Sequence, residues 1–107
     1  MITFFAVPEV VLISSDTFGY QGETAFLVCV GYSQPVIEIS WSLNGVPVTN
    51  TSLVTTYEEV VPGVGVYKQS FLQFCSLSLS NAGNYTCVVT NGGVIDASAL
   101  TSLTVSG

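Results

Sequence analysis

The sequence predicts an all-β fold, an antiparallel β-sandwich of two sheets, on three observations. Apolar residues recur at every second position along short segments, which is the period of a half-buried strand. Turn-forming residues separate these segments at short intervals. No stretch of the chain repeats its apolar residues at helical spacing. The 107 residues are the length of one domain, and we expect residues 1–107 to form a single one.

Seven or eight short strands fit this pattern. The apolar residues that alternate on one face are Ala25, Leu27 and Cys29; Ile37, Ile39, Trp41 and Leu43; Leu72 and Phe74; Tyr85, Cys87 and Val89; and Leu103 and Val105. Asn44-Gly45 lies between two alternating segments. It is the strongest hairpin signal, because both central residues of a type I′ turn need a positive φ.

The charge balance excludes several classes of function. Lys68 is the sole cation against seven carboxylates, the formal net charge is −6, and the chain has no histidine. One lysine cannot neutralise a phosphate backbone, so nucleic acid is excluded as a partner. Without imidazole no Ser or Thr has its usual base, so we expect no enzyme and no cofactor. Glu58, Glu59 and Asp96 are too few for the roughly six to eight oxygens that calcium needs, so we expect no metal.

The hydropathy pattern indicates a domain that does not itself contact a membrane. No apolar run approaches the ~20 residues of a membrane-spanning helix. Met1 lacks the basic flank and long apolar stretch of a secretory signal. We therefore expect any signal or membrane anchor to lie outside these residues.

Two cysteines, one tryptophan and one tyrosine carry a resemblance to a known family. Cys29, Trp41 and Cys87 follow one another on alternating segments, and all three face inward in the alternation. Tyr85 stands two residues before the second cysteine. In these positions the chain resembles the immunoglobulin superfamily, and the likeness covers about residues 8–105.

The resemblance implies a Greek-key sandwich whose sheets are joined by a disulfide between Cys29 and Cys87, with Trp41 packed against it and Tyr85 as the tyrosine corner. Where the family usually carries an aspartate paired with a basic residue, this chain has Asn81 and no basic partner. We expect Asn81 to cap the turn through hydrogen bonds instead. The interval from Trp41 to Cys87 is long for the intermediate (I-set) subgroup, so an extra strand of the V-set type stays open.

One cysteine and two sequons predict modification sites. The alternation places Cys75 outward, so it is a free thiol that is either shielded as a small hydrophobe or available for an intermolecular disulfide. N-glycosylation sequons begin at Asn50 and Asn84. We expect at least one of them to carry a glycan, which would solubilise a surface that is short of charge.

Both outer sheet faces are candidates for binding a protein. The predicted interface residues are Ser40, Ser42, Thr86, Val88 and Thr90 on the sheet of strands C, F and G, and Phe26, Val28 and Phe71 on the sheet of strands B and E. Exposed apolar patches usually mark interaction surfaces unless a neighbouring loop or domain covers them. Many superfamily members pair through the C, C′, F, G face, so the resemblance favours that face.

The resemblance implies an extracellular protein-recognition or cell-adhesion module of an animal cell-surface receptor with a single membrane span. Its partner would be a protein ligand or a second copy. The hydroxyl-rich, charge-poor pattern suggests an invertebrate receptor, with a receptor tyrosine kinase ectodomain as one candidate. The alternative is a structural spacer in a multidomain protein, although intracellular domains of the giant muscle-protein type normally carry more charge and no disulfide.

Overall fold

The computed structural model describes residues 8–33, 37–48, 54–61, 65–90 and 96–107. Its strands are β1 (Glu9–Ile13), β2 (Thr17–Tyr20), β3 (Ala25–Ser33), β4 (Glu38–Leu43), β5 (Val46–Pro47), β6 (Val54–Val61), β7 (Gly65–Phe74), β8 (Gly83–Thr90) and β9 (Asp96–Ser106). A 3-10 turn at Leu79–Asn81 precedes β8. The prediction of an all-β fold is confirmed. No helix within the described ranges is long and apolar enough to cross a lipid bilayer.

The strands form two sheets that pack face to face. One sheet has the order β1-β3-β7-β6 and the other has the order β2-β9-β8-β4-β5, which is the expected immunoglobulin-like arrangement. Strands B, C, C′, D, E, F and G of the resemblance are β3, β4, β5, β6, β7, β8 and β9. All pairings are antiparallel except that of β2 with β9, which is parallel. The N-terminal segment thus contributes β1 to one sheet and β2 to the other.

The core lies between the sheets and uses the alternation that the sequence predicts. Its buried apolar residues are Leu27, Cys29, Ile37, Trp41, Val66, Leu72, Phe74, Leu77, Tyr85, Cys87, Val89, Leu103 and Val105. Ala25, Ile39 and Leu43, which were also predicted to face inward, are partly buried against this cluster. Gly31 allows a close approach of the sheets, because a Cβ there would lie 2.7 Å from a methyl group of Val89.

The hairpin between β4 and β5 has the predicted turn. Asn44 and Gly45 have φ angles of 49° and 85°, and Leu43 pairs with Val46 across them. A type I′ turn requires this positive φ at both positions. β5 is only two residues long and lies at one edge of its sheet, so few of its backbone groups are exposed along that edge.

A long hairpin accounts for much of the interval between Trp41 and Cys87. β6 has eight residues and β7 has ten, and they pair without a register shift from Val54 opposite Leu72 to Val61 opposite Gly65. The extra V-set strand would fall at residues 49–53, which lie outside the described residues.

Candidate binding surfaces and the core that positions them

The predicted disulfide joins the two sheets. Cys29 on β3 and Cys87 on β8 are bonded, with their Cα atoms 6.4 Å apart, and both residues are fully buried. Trp41 is the direct partner of Cys87 in the register of β4 with β8, and only 4% of its surface is exposed. The disulfide prediction is confirmed, and the structure places Trp41 in the core beside it.

A buried hydrogen bond lies next to the disulfide. The indole N–H of Trp41 donates to Oγ of Ser70 at 2.8 Å. Ser70 is fully buried on β7, directly opposite Cys29. Ser70 was not predicted from the sequence, because a hydroxyl at an inward-facing position interrupts the apolar alternation instead of continuing it.

Tyr85 and Asn81 fix the entry into β8. The Tyr85 hydroxyl donates to the main-chain carbonyl of Asn81, and burial raises the pKa of Tyr85 to about 12. Oδ1 of Asn81 accepts a hydrogen bond of 2.8 Å from the main-chain N–H of Ser78. Asn81 therefore caps the turn, as the sequence predicted for a chain that lacks the charged pair.

The turn between β4 and β5 is tied to the start of β8. Oδ1 of Asn44 accepts from the main-chain N–H of Asn84 at 2.9 Å, and the main-chain N–H of Asn44 donates to the carbonyl of Asn84 at 2.8 Å. Gly83 has a φ of 150°, and a Cβ at that position would lie 2.7 Å from the Asn44 side chain. These contacts hold one end of the β2-β9-β8-β4-β5 sheet in place.

Phe71 contacts two other aromatic rings on the outer face of the β1-β3-β7-β6 sheet. The ring centroid of Phe71 lies 6.3 Å from that of Phe26 and 5.8 Å from that of Tyr57. Phe26 and Tyr57 are 57% and 61% exposed, and Phe71 is half-buried between them. We call Phe26, Tyr57 and Phe71 the aromatic patch.

Part of this patch is predicted by the sequence, since the alternation places two of its rings on one outer face. The predicted residues are Phe26, Val28 and Phe71, and Val28 is half-buried directly opposite Phe71 in the register of β3 with β7. Tyr57 was not predicted, because residues 54–61 alternate too weakly to reveal which of their side chains face outward. A second ring pair, Tyr32 and Tyr67, lies farther along the same face with its centroids 4.8 Å apart.

The outer face of the other sheet carries mostly hydroxyl side chains on β4, β8 and β9, and two exposed rings on β2, Phe18 and Tyr20, whose centroids lie 5.1 Å apart. Ser40 is exposed, and the other predicted interface residues of this face are half-buried: Ser42, Thr86, Val88 and Thr90. Leu100 lies directly opposite Thr86 and is 69% exposed. Leu100 was not predicted as an interface residue. It lies three positions before the inward-facing Leu103, and an odd separation within a strand places two side chains on opposite faces.

The predicted modification sites divide between the described and undescribed residues. Cys75 is a free, exposed cysteine just beyond the end of β7. Asn84 is exposed on β8 and lies opposite Ser102, on the same outer face as Thr86. A glycan on Asn84 would therefore stand on that face. Asn50 lies outside the described residues.

The carboxylates of β6 are not arranged as a metal site. Glu58 and Glu59 are neighbours in a strand, so their side chains point to opposite faces of the sheet. Glu58 lies opposite Lys68 on β7. In the part of the chain that the structure describes, His, Cys, Asp and Glu side chains form no group of three that could hold a metal ion.

Comparison with known proteins identifies the family. The model of the family described as "Immunoglobulin domain" matches residues 9–105. The chain belongs to this family. The core disulfide, Trp41 and the hydrogen bond from Tyr85 are thus features of an immunoglobulin domain, and no curated protein matches this immunoglobulin domain in sequence.

Solved structures similar to this immunoglobulin domain include chains from titin and from a cell-adhesion molecule. A chain in the complex of titin with an obscurin-like 1 Ig domain has a TM-score of 0.72 at 20% identity, with 95% of each chain covered. A chimeric titin fragment has a TM-score of 0.77 at 19% identity, with 97% of this chain and 99% of that chain covered. The N-terminal eight-domain fragment of Down Syndrome Cell Adhesion Molecule gives 0.74 at 25% identity, covering 96% of this chain and 15% of that chain. At these identities the titin structures support the fold alone.

Proposed function

We propose that this immunoglobulin domain binds a protein partner through the outer face of the β1-β3-β7-β6 sheet, with the aromatic patch as the anchor. The observation that carries the proposal is the contact of three rings, two of which are more than half exposed. Aromatic residues are enriched at protein interfaces and at the few positions that supply most of the binding energy.

The surroundings of the aromatic patch support an interface. The residues directly opposite its members on neighbouring strands are uncharged: Val28, Thr55, Gln69 and Gln73. Glu59, two residues after Tyr57 on the same face of β6, places a charge at the margin of the patch, so a partner would desolvate no charged group between the three rings. Full burial of each ring contributes on the order of 1.5–3 kcal/mol before the costs of association, so three adjacent rings can form an energetic centre.

The C, C′, F, G face is the second candidate, which the resemblance favoured. Its supporting observation is the exposed side chain of Leu100. Ser and Thr lie directly beside that leucine on β8 and β9, and the exposed rings of Phe18 and Tyr20 on β2 form a pair rather than a cluster of three. We also propose that Asn84 carries an N-linked glycan, and a glycan there would compete with a partner for this face.

The mode of action that we propose is binding rather than catalysis, at an extracellular location. The family supports binding rather than catalysis. The Cys29–Cys87 disulfide supports an extracellular location, because structural disulfides persist mainly in oxidising compartments. The likeness to Down Syndrome Cell Adhesion Molecule supports a role in cell adhesion. The titin structures support the alternative of a spacer domain. Neither likeness supports the suggestion of a receptor tyrosine kinase.

The complex of titin with an obscurin-like 1 Ig domain supports a protein as the class of partner, since an immunoglobulin domain takes part in it. For this chain the partner is either a second copy or a different protein. Sedimentation of the oxidised, glycosylated domain over a range of concentrations distinguishes the two. Self-association that Phe26→Ser abolishes would indicate a second copy, whereas a persistent monomer would indicate a different protein.

The test of the face uses matched surface variants. Tetramers of the domain would be applied to secreted ectodomains from the same organism, and binding compared for Phe26→Ser, Tyr57→Ser and the control Leu100→Ser. We expect the first two to reduce binding strongly and the control to leave it unchanged. Loss of binding with Leu100→Ser alone would assign the interface to the opposite sheet, and the absence of any bound ectodomain would support the spacer alternative.

The glycan proposal has a separate test. The domain would be expressed in a secretory host, and its mass compared before and after glycosidase treatment with that of Asn84→Gln and Asn50→Gln. We expect a mass shift that Asn84→Gln removes. A shift that only Asn50→Gln removes, or no shift at all, would contradict glycosylation at Asn84.

A further inference from the structure

Three of the four described edge strands carry a feature that discourages another strand from pairing with them. An edge strand presents unpaired N–H and C=O groups, and proteins guard such edges with bulges, proline, charged side chains (lysine above all) or short length. β1 has an irregularity between Val10 and Leu12. β5 has two residues and ends in Pro47, and β2 has four residues.

β6 lacks a bulge, proline, lysine and short length, and its charged side chains are those of Glu58 and Glu59. Its eight residues, VTTYEEVV, include no proline, glycine or lysine. Its pairing with β7 runs from end to end without a shift, so the strand is regular and its outer edge offers backbone groups along about 25 Å. In the described part of the chain, it is the longest edge strand, and its two glutamates are the only guards that it carries.

β6 is also open on both faces. Residues 55–59 are all exposed, including Thr56, although Thr56 lies opposite the fully buried Ser70 and shares its face of the sheet. The opposing edge strand, β5, is too short to cover it. Among the elements that the structure describes, none covers the edge of residues 55–59, so a partner strand can reach that edge without displacing one of them.

The charges of β6 indicate which kind of strand fits. Glu58 lies opposite Lys68, but Glu59 lies opposite Tyr67 and so has no cation at its direct cross-strand position on β7. If two copies of β6 paired antiparallel over their full length, Glu58 and Glu59 of both copies would lie near one another at the centre of the interface. Like charges at adjacent cross-strand positions are destabilising, so a second copy of β6 is a poor partner. A basic residue opposite Glu59 would instead form a favourable pair.

We propose that the outer edge of β6 accepts an extended segment of a partner protein as a fifth strand of the sheet, with a Lys or Arg of that segment opposite Glu59. Backbone hydrogen bonds provide the affinity in this mode of recognition, and side chains at alternate positions provide the specificity. The edge is distinct from the aromatic patch, which presents side chains rather than backbone groups.

The test titrates isotopically labelled, oxidised domain with a capped eight-residue peptide of alternating threonine and lysine, observed by NMR. We expect the largest amide shifts in residues 55–59. Two control peptides carry N-methyl groups on alternate residues, one on the odd and one on the even positions. We expect the peptide whose N-methyl groups face the edge of β6 not to bind. Glu59→Gln should weaken binding roughly twofold to fivefold, as for an exposed ion pair, and Glu38→Gln on the opposite sheet should have no effect.

Several outcomes would overturn the proposal. If both N-methylated peptides bound as well as the parent peptide, the attraction would be electrostatic and not strand addition. Amide shifts centred on β1, β2 or β5 would place the peptide elsewhere. Phe26→Ser should leave peptide binding unchanged, so failure at the edge of β6 is distinguishable from failure of the proposed aromatic interface.

Discussion

The side chains of Trp41 and Ser70 link the two sheets through a hydrogen bond of 2.8 Å that lies beside the disulfide. Ser70 is opposite Cys29 in one sheet, and Trp41 is opposite Cys87 in the other. Each sheet therefore contributes one cysteine and one hydrogen-bonding residue to the same part of the core. The covalent link and the polar link span the same gap, so they fix the spacing of the sheets together.

Replacing Ser70 with alanine should destabilise the domain by about 1–3 kcal/mol, because the buried indole N–H would lose its acceptor. Chemical denaturation with tryptophan fluorescence measures the change. Ser42→Ala, on the outer face of β4, is the matched control and should change the free energy of unfolding by less than about 0.5 kcal/mol. Equal effects of the two variants would contradict a stabilising role for the bond.

Removing the disulfide with the double variant Cys29→Ala, Cys87→Ala should lower the free energy of unfolding by roughly 4 kcal/mol, since the closed loop is long. Urea denaturation of the variant and the parent domain gives the difference.

Cys75→Ser should leave stability unchanged, because that thiol is exposed and unpaired. If Cys75 forms an intermolecular disulfide, non-reducing electrophoresis of the oxidised domain will show a dimer that Cys75→Ser removes.

The stability of the domain should fall above pH 10 in a way that depends on Tyr85. Burial raises the pKa of this phenol from 10.0 to about 12 in the folded state, so folding favours its neutral form. The contribution is fully present below the unfolded pKa and is lost as the pH rises from 10 towards 12. Thermal denaturation between pH 8 and pH 12 should show a shallower decline for Tyr85→Phe, and parallel declines would contradict this origin. At neutral pH the variant should lose about 1 kcal/mol with the hydrogen bond to Asn81.

Gly31→Ala should destabilise the domain by about 1–3 kcal/mol through overpacking. The added methyl would lie 2.7 Å from one Val89 methyl and 3.1 Å from Cδ1 of Ile37. The double variant Gly31→Ala, Val89→Ala should lose less free energy of unfolding than the two single variants lose together. The reason is that the Val89 substitution removes the clash with the new methyl group. Additive losses in denaturant titrations would show that the sheets relax around the new methyl.

Thr101→Val should stabilise the domain by about 1 kcal/mol. The Thr101 hydroxyl is buried and has no hydrogen-bond partner among the described atoms, so the isosteric substitution removes an unmet desolvation cost. The midpoint of denaturation measures the gain, with Thr104→Val on the exposed side of β9 as the control. A loss of stability would indicate that the hydroxyl has a partner.

The alternation of apolar residues was sufficient to predict the sandwich and most of its core. It predicted Leu27, Leu72 and Leu103 as inward-facing, because each lies in a segment whose period of two is unbroken. It could not reveal Ser70 or Thr101, since a hydroxyl at an inward position looks like a break in the pattern until the opposite strand is known. The capping role of Asn81 was predictable because capping depends on nearby residues.

The candidate surfaces were predicted less completely than the core. Phe26 and Phe71 could be placed on one outer face from their own strands, whereas Tyr57 joins them only through the pairing of β6 with β7. The open edge of β6 depends on the length of β5 on the opposite sheet, and no local pattern encodes that relationship. Face and edge surfaces arise from the register between strands that are distant in sequence.

The parallel pairing of β2 with β9 determines how this domain responds to tension. Thr17 lies opposite Leu103 and Tyr20 opposite Ser106, so a force that pulls the two termini apart acts on opposite ends of this ladder. The hydrogen bonds between the two strands are then loaded in shear and must break together, whereas an antiparallel pair pulled from one end unzips bond by bond. β2, which follows β1 in the chain, would therefore resist such a force through all of its hydrogen bonds to β9 at once, in the sheet that contains Trp41 and Cys87.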